Sequence, residues 1–167
     1  MSLFNKLKID QIAFACHSDE QEAEIKEQLG LSDAEWIEDE VVAFGRVGTE
    51  PEFHSTASRN RAKLLFNYDL GIEVEILRYL GGVNYLDYLG LRKGVCHIGM
   101  HVEKGTPLQD SDVLDSLFPA PIVQQVRTES HTNEFLLTSG RRYRYTIYDT
   151  MSVLGTCLKV IERIEKE

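Results

Sequence analysis

The sequence contains an internal repeat that divides the chain into two halves. The segment Gln11-Ile12-Ala13-Phe14-Ala15 aligns with His97-Ile98-Gly99-Met100-His101, and Glu75-Ile76-Leu77-Arg78 aligns with Lys159-Val160-Ile161-Glu162. Gln11 and Glu75 are 64 residues apart, and His97 and Lys159 are 62 apart. A repeat of this length indicates two copies of one supersecondary unit that share a core. The alternative is a chance likeness between short apolar strands.

The order of predicted elements is the same in both halves. Apolar runs bounded by turn residues predict eight strands, at 10–16, 41–47, 62–68, 72–80, 95–102, 122–127, 143–148 and 156–164. After the first strand, Ser18 and Gln21 form a capping-box pattern, and Gly30 is suited to end the helix that follows. Apolar residues at helical spacing predict a second helix between Leu108 and Phe118. Each half is therefore a strand, a helix and three strands, which can pair into one curved sheet with a shared cleft.

We predict one structural domain made of two modules. Residues 1–80 form the first βαβββ module, residues 81–94 a connector, and residues 95–167 the second βαβββ module. The connector carries four apolar residues, which are Tyr85, Leu86, Tyr88 and Leu89. This composition favours a segment docked on the protein over a free linker.

Side chains alternate between the two faces of a strand, and the aligned strands separate into an apolar and a mixed face. The apolar face, which we expect to pack under the helices, consists of Ile12, Phe14, Ile98, Met100 and Val102. The other face combines small and polar residues, namely Gln11, Ala13, Ala15, His97, Gly99 and His101. Small residues with a few polar ones predict a concave surface with room for a ligand.

The overall charge restricts the classes of partner. The chain has 18 Lys and Arg against 27 Asp and Glu, a net charge of −9 with His neutral. A field of this sign repels phosphate backbones, so we expect no nucleic-acid partner. No apolar run approaches the ~18 residues of a membrane span, and we identify no secretory signal. The cysteines (Cys16, Cys96 and Cys157) are odd in number and lack CxxC spacing, which predicts a cytoplasmic location.

Four segments carry a resemblance to a known superfamily. They are 10–14, 72–77, 96–100 and 154–161. Together with the strand order they resemble the vicinal-oxygen-chelate superfamily, the group of glyoxalase I, methylmalonyl-CoA epimerase, extradiol dioxygenases and bleomycin-resistance proteins. The resemblance covers nearly the whole chain. It implies an α+β fold in which two paired βαβββ modules form a half-barrel cup, and it implies a homodimer.

The resemblance also implies a metal site in the cup. Four inward residues of the superfamily bind a divalent metal, and the matching positions here are Gln11, Glu75, His97 and Lys159. The first three offer a carbonyl oxygen, a carboxylate and an imidazole nitrogen, a mixed set that suits Zn, Ni, Fe, Mn or Co without choosing among them. The order Gln, Glu, His is similar to that of glyoxalase I, whose fourth ligand is a carboxylate that also moves a proton.

Lys159 departs from this pattern because an ammonium group cannot ligate a cation. Two arrangements follow. In the first, Lys159 loses its proton or turns away, and Gln11, Glu75 and His97 hold a metal with open positions, which His101 could join. In the second, no metal binds, and the ammonium pairs with Glu75 in the place of the cation. A shift in strand register would exchange Glu73 for Glu75.

Three functions correspond to these arrangements. The first is a divalent-metal-dependent lyase or isomerase that acts through an enolate-type intermediate, with Lys159 at the position of the catalytic base. The second is a metal-free protein that binds or sequesters a small molecule. The third is a structural dimer whose cup is vestigial. The sequence does not identify the ligand.

Other residues have weaker patterns. We expect His17 to lie in a solvent-facing loop, and His54 and His131 to lie in polar loops that either cover the cup or are ordinary surface. The segment Ser139-Gly140-Arg141-Arg142 either holds an anionic group or forms a solvated turn. Cys157 is predicted to be a small, inert filler.

Overall fold

The computed structural model describes residues 7–48, 58–102, 111–133 and 142–164. Within these residues the chain forms eight strands and four short helices. The strands are β1 Leu7–Ala15, β2 Ile37–Val47, β3 Asn60–Asn67, β4 Glu73–Gly82, β5 Val95–Val102, β6 Ile122–Ser130, β7 Arg142–Tyr148 and β8 Cys157–Ile164. The helices are α1 Asp19–Gln28, α2 Tyr85–Leu89, α3 Ser111–Asp115 and α4 Met151–Leu154. The predicted mixed α+β class is confirmed.

The strands form one closed barrel in the order β1-β4-β3-β2-β6-β7-β8-β5. Strand β1 runs parallel to β4, and β5 runs parallel to β8. The remaining neighbours are antiparallel, including the two contacts between the halves of the chain, β1 with β5 and β2 with β6. The two parallel pairs therefore meet through β1 and β5 on one side of the barrel.

The sheet closes further than the half-barrel that the sequence predicted. Strand β2 begins four residues before its predicted start, and β6 continues to Ser130, three residues past its predicted end. The extended strands pair over seven positions, from Val41 opposite Ser130 to Val47 opposite Gln124. This ladder supplies the hydrogen bonds that seal the far side of the barrel.

The start of α1 follows the predicted capping pattern. The hydroxyl of Ser18 accepts a hydrogen bond from the backbone N–H of Gln21 at 3.1 Å. In return, the side-chain oxygen of Gln21 accepts one from the backbone N–H of His17 at 2.6 Å. The helix fully buries none of its residues, but Ile25 packs, partly buried, against the cluster of Cys16, Leu65 and Ile76. The caps and the acidic first turn add local stability.

The connector between the halves is docked, as its composition predicted. Residues of helix α2 seal one part of the barrel interior, where Tyr85 and Leu86 are fully buried. Asn84 caps this helix by accepting a hydrogen bond from the backbone N–H of Asp87 at 3.0 Å. Of the second predicted helix, the structure describes α3 and the turn after it, and Leu108 lies outside the described residues.

The predicted alternation of faces is observed on β1 and β5. Ala13 and Ala15 lie inside the barrel in the main core cluster. Met100 and Val102 lie on the outer face, where they pack with Leu114 of α3. The small residues of β1 leave interior space that the polar side chains described below occupy. No helix among the described residues is long and apolar enough to cross a membrane.

Candidate functional site

Four side chains singled out from the sequence meet inside the barrel. Glu75, Gln11, His97 and Lys159 lie on β4, β1, β5 and β8, which are four consecutive strands of the sheet. All four are buried, each less than 8% exposed. Gly99 stands opposite Gln11 on one side and Lys159 on the other. Because Gly99 has no side chain, the amide of Gln11 can lie across β5.

A chain of hydrogen bonds links two of these residues, Gln11 and His97, to Glu73 and to two tyrosines to which the sequence assigned no role in the site. The amide nitrogen of Gln11 donates to Glu73 Oε2 at 2.5 Å. Gln11 Oε1 lies 2.8 Å from His97 Nε2, and the hydroxyl of Tyr85 lies 2.7 Å from His97 Nδ1. The hydroxyl of Tyr68 donates to the other oxygen of Glu73 at 2.6 Å. The chain runs from the mouth of the barrel to its interior.

These partners determine which imidazole nitrogen of His97 carries the proton. The amide nitrogen of Gln11 faces a carboxylate and must donate, so Oε1 of the same amide accepts. His97 Nε2 is therefore the protonated nitrogen, and Nδ1 accepts a hydrogen bond from Tyr85. Burial raises the pKa of Tyr85 well above its ordinary value, which keeps the phenol neutral as a donor.

Lys159 and Glu75 form a buried ion pair. Lys159 Nζ lies 3.7 Å from Glu75 Oε2, and it also lies 4.3 Å from the centroid of the Tyr145 ring. The ring face adds a cation–π contact to the carboxylate. His97 Nε2 lies 3.5 Å from the same oxygen of Glu75. The carboxylate thus has one full positive charge and one N–H group beside it.

The charges of the site follow from this arrangement. Burial acts to raise the pKa of Glu75, but Lys159 and His97 outweigh it and lower the pKa to about 2. Burial and the repulsion from Lys159 lower the pKa of His97 to about 4, although Glu75 opposes this change. At neutral pH the site therefore holds a carboxylate, an ammonium and a neutral imidazole, with no net charge.

A buried amide that the sequence did not predict, that of Gln124, orients Tyr79, Tyr85 and Tyr145. Gln124 on β6 is fully buried. Its oxygen accepts from the backbone N–H of Tyr85 at 2.9 Å, and its nitrogen donates to the hydroxyls of Tyr79 and Tyr145, each at 3.1 Å. The sequence patterns assigned no role to Tyr79 or Tyr145. No local signal marks Gln124, because its partners come from three other elements.

The four residues adjoin a cavity of 440 Å³ inside the barrel. Gln11, Glu75 and Lys159 lie on its wall, while apolar and aromatic side chains form much of the rest. These include Ile37, Leu64, Phe66, Tyr79, Tyr145 and Ile161. The volume lies within the range of small-molecule pockets, and the combination of apolar walls with a few polar groups is typical of them.

The mouth of the cavity carries a separate polar cluster. His101 Nδ1 lies 2.8 Å from Asp10 Oδ1, and His101 Nε2 lies 3.8 Å from Glu73 Oε2. His101 and Asp10 are both about two-fifths exposed, whereas Glu73 is mostly covered. His101 therefore belongs to the rim and does not reach the inner group around His97.

The weaker candidates lie apart from this site. His17 is exposed and makes a 2.9 Å hydrogen bond to the carbonyl oxygen of Leu91. His131 is exposed in the turn after β6. His54 and residues 139–141 lie outside the described residues. Cys157 is fully buried in the core, where burial raises its pKa to about 12, as expected of an inert filler.

The donor set can be tested against the metal that the superfamily resemblance implies. Within the described residues, no group of three or more His, Cys, Asp or Glu side chains is arranged to hold a metal ion. The Nε2 atom of His97 bears a proton directed at Gln11, so it offers no lone pair to a metal. The ammonium of Lys159 already supplies the positive charge beside Glu75. As arranged, these residues do not fit a resident divalent cation.

Comparison with solved structures concerns the fold. A hypothetical protein from Bacillus halodurans matches over 96% of this chain and 97% of its own, with 13% identity and a TM-score of 0.51. Methylmalonyl-CoA epimerases also match. The one from Mycobacterium tuberculosis has 15% identity over 97% of this chain and 90% of its own, with a TM-score of 0.45. The mixed α+β fold with its closed eight-stranded sheet is consistent with a glyoxalase-like fold.

Methylmalonyl-CoA epimerase, which is among these structural neighbours, is one of the proteins that the sequence resemblance named. At these identities the likeness concerns the fold alone. No family model matches the sequence, and no curated protein matches it. The function of this chain must therefore be argued from its own side chains.

Proposed function

We propose that the chain is a metal-free, small-molecule-binding protein built from two paired βαβββ modules, residues 1–80 and 95–167, joined by a connector at 81–94. The observation that carries the proposal is the buried pair of Lys159 and Glu75, with 3.7 Å between Nζ and Oε2, on the wall of a 440 Å³ cavity. The ammonium takes the place that a cation has in the superfamily. The cup then serves to bind a ligand without a metal.

The composition of the cavity wall supports a ligand that is mainly apolar. Leu64, Phe66 and Ile161 line the cavity together with five tyrosines. Burying such a ligand releases water from both surfaces and supplies most of the binding free energy. The few polar groups, including Gln11 and Lys159, would then fix its orientation.

One observation favours a second candidate, a divalent-metal-dependent lyase or isomerase with an enolate-type intermediate. Both carboxylate oxygens of Glu75 are buried and accept no hydrogen bond from the described residues. Together with Gln11 and His97 they could ligate Zn, Ni, Fe, Mn or Co if Lys159 moved away and His97 changed its tautomer. Lys159 would then be the residue available to move a proton.

Metal analysis separates the two candidates. Protein purified without chelator should contain far less than one equivalent of transition metal and keep its melting temperature in EDTA. Near one equivalent per chain, lost together with stability in EDTA, would establish the metal enzyme and overturn the proposal. The metal-free candidate also requires a ligand: a broad metabolite panel should give at least one saturable increase in melting temperature.

The variant Lys159→Glu tests whether the ammonium of Lys159 replaces the metal cation of the superfamily. This variant restores a carboxylate where the superfamily has its fourth ligand, so it should gain affinity for Zn²⁺ or Ni²⁺ that the wild type lacks. The matched control is Lys63→Glu, because Lys63 forms an ion pair with Glu22 at 3.1 Å outside the cavity. Only the first variant should be stabilised by added metal.

Two further parts of the proposal rest on the sequence. The superfamily resemblance implies a homodimer, which sedimentation equilibrium can test. A cytoplasmic location is inferred from the cysteine pattern, and all three cysteines are free and buried in the structure. A monomer in sedimentation would remove the dimer from the proposal without affecting the cavity.

A further inference from the structure

The carboxylate of Glu75 is an unsatisfied acceptor aimed into the cavity. The residue is 1% exposed and lies on the cavity wall. Neither oxygen accepts a hydrogen bond from the described residues. Lys159 Nζ and His97 Nε2 lie 3.7 Å and 3.5 Å from Oε2, which is long for a hydrogen bond. A buried charged acceptor without donors is costly, so a ligand that supplies one gains affinity.

Lys159 is the complementary group beside it. Its ammonium carries three N–H donors, and it contacts the carboxylate and the face of Tyr145 at distances longer than a hydrogen bond. None of the hydrogen bonds identified among the described residues uses Lys159 Nζ. The cavity wall therefore presents an unused acceptor and an unused donor next to each other.

We propose that the cavity binds a neutral, planar ring whose inner edge carries an N–H donor directly beside a carbonyl oxygen, the class of cyclic amides that includes lactams and imides. The N–H donates to Glu75, and the carbonyl oxygen accepts from Lys159. A ring holds the amide in the cis form, which places both groups on one edge. This inference rests on the proposed function and specifies its ligand.

The charge of the site explains why the ligand is neutral. Asp39 and Glu73 also line the cavity, but their carboxylates already accept hydrogen bonds from Ser130, and from Gln11 and Tyr68, respectively. Glu75 and Lys159 make no hydrogen bond among the described residues and balance each other, since the low pKa of Glu75 keeps it ionised beside the ammonium. A ligand with a net charge would leave one buried charge without a partner, which costs more than its hydrogen bonds return. A neutral amide instead supplies a donor and an acceptor without disturbing the balance.

The walls explain why the ring is planar. Phe66, Tyr79 and Tyr145 contribute aromatic rings to the cavity. Gln124 holds the two tyrosines by their hydroxyls, so these rings have fixed orientations. Fixed aromatic faces bind flat rings by stacking or edge contacts at low entropic cost.

Three probes of almost identical shape test the inference on the wild-type protein. Quinolin-2-one has the N–H beside the carbonyl, N-methylquinolin-2-one lacks the N–H, and naphthalene lacks the N–H, the carbonyl and any other hydrogen-bonding atom. Calorimetry should give a Kd for quinolin-2-one about tenfold or more below the Kd of the other two, because a hydrogen bond to a charged group is lost in each comparison. A metal-free buffer keeps the ion pair intact.

The outcomes separate this inference from the proposed function. If all three probes bind equally, or if none binds while a ligand of another class raises the melting temperature, the amide inference is overturned and the binding function stands. If neither the probes nor the metabolite panel bind, both are overturned, and water alone satisfies Glu75.

A variant identifies the carbonyl partner. The wild type should bind N-methylquinolin-2-one more tightly than naphthalene, because only the former has a carbonyl oxygen for Lys159, and this preference should disappear in Lys159→Met. Lys63→Met, which removes an ammonium from the surface pair with Glu22, should leave the preference unchanged. A preference that persists in Lys159→Met would overturn the assignment of Lys159. The wild-type probe series stays decisive if that variant fails to fold.

Discussion

Lys159 Nζ and Glu75 Oε2 lie 3.7 Å apart inside the barrel, and the two side chains come from opposite halves of the chain. The carboxylate is 1% exposed and the lysine side chain 9% exposed. Both charges lie on the cavity wall and are largely shielded from bulk water, so each makes the burial of the other tolerable. The pair therefore behaves as one unit that connects the halves electrostatically.

Lys159→Met should lower the free energy of unfolding by about 3–5 kcal/mol, because it leaves a buried carboxylate without its cation. Urea denaturation measures the change. The double variant Glu75→Gln with Lys159→Met removes both charges and should lose clearly less than the sum of the two single variants. Additive losses would contradict the coupling of the pair.

Stability should decrease as the pH falls from 6.5 toward 4 because of His97. Its pKa is lowered to about 4 in the folded chain from an ordinary value of 6.5, mainly by burial and then by Lys159. Between pH 6.5 and pH 4 the unfolded chain binds a proton at this histidine that the folded chain does not bind. This difference lowers the free energy of unfolding by about 3 kcal/mol over the whole interval. Below about pH 4.5, the depressed pKa of Glu75 adds a second loss, which continues toward pH 2.

His97→Gln isolates the histidine contribution to this pH dependence. Urea denaturation of the variant between about pH 7 and pH 5 should show a smaller slope of stability against pH than the wild type. Exposed histidines such as His17 are present in both proteins, so their contributions cancel in the comparison. Equal slopes would show that another group carries the effect.

Tyr85→Phe should cost about 1–3 kcal/mol, because it leaves Nδ1 of the buried His97 without a donor. Nitrogen NMR of the imidazole should show the Nε2-protonated tautomer in the wild type and its partial loss in the variant. Tyr88→Phe, on the same helix but half-exposed, is the control and should change neither stability nor tautomer. A wild-type ring protonated on Nδ1 would contradict the hydrogen-bond assignment.

Gly99→Ala should destabilise the protein by about 1–3 kcal/mol through overpacking. A Cβ at this position would lie 2.9 Å from Cβ and 3.0 Å from Cδ of Gln11, so Gln11 would have to leave its place beside His97. Gly81→Ala is the matched control, since a Cβ there meets nothing within 4 Å. Similar melting temperatures for the two variants would refute the role of Gly99 as space for Gln11.

The repeat, together with the superfamily resemblance, predicted the positions Gln11, Glu75, His97 and Lys159, and the structure brings these four side chains together. Each residue lies on a strand in which side chains alternate between the two faces, so the sequence shows which residues share a face. The repeat relates the strands of one half to those of the other. The sequence left open whether Glu73 or Glu75 takes the place beside Lys159, and the structure distinguishes the two. Both side chains face inward, since they are two residues apart on β4, and they take different partners: Glu73 binds Gln11, and Glu75 pairs with Lys159.

The rest of the site depends on contacts that no local pattern records. Tyr85 reaches His97 from a five-residue helix in the connector, so its position is set by how α2 docks. Gln124 meets its tyrosines only when β6 joins the barrel. Closure through β2 and β6 involves residues more than 75 positions apart, and pairing at that distance is decided by tertiary packing, which propensity and periodicity do not describe.

Closure also limits how copies of this chain could associate. Each of the eight described strands has a neighbour on both sides, so none is an edge strand that is unpaired along its whole length. A dimer of the kind implied by the family resemblance could not grow by adding a strand to this sheet. Its contacts would have to be made by side chains on the outside of the barrel. Surface substitutions could therefore change the association of subunits without altering the hydrogen bonds between strands.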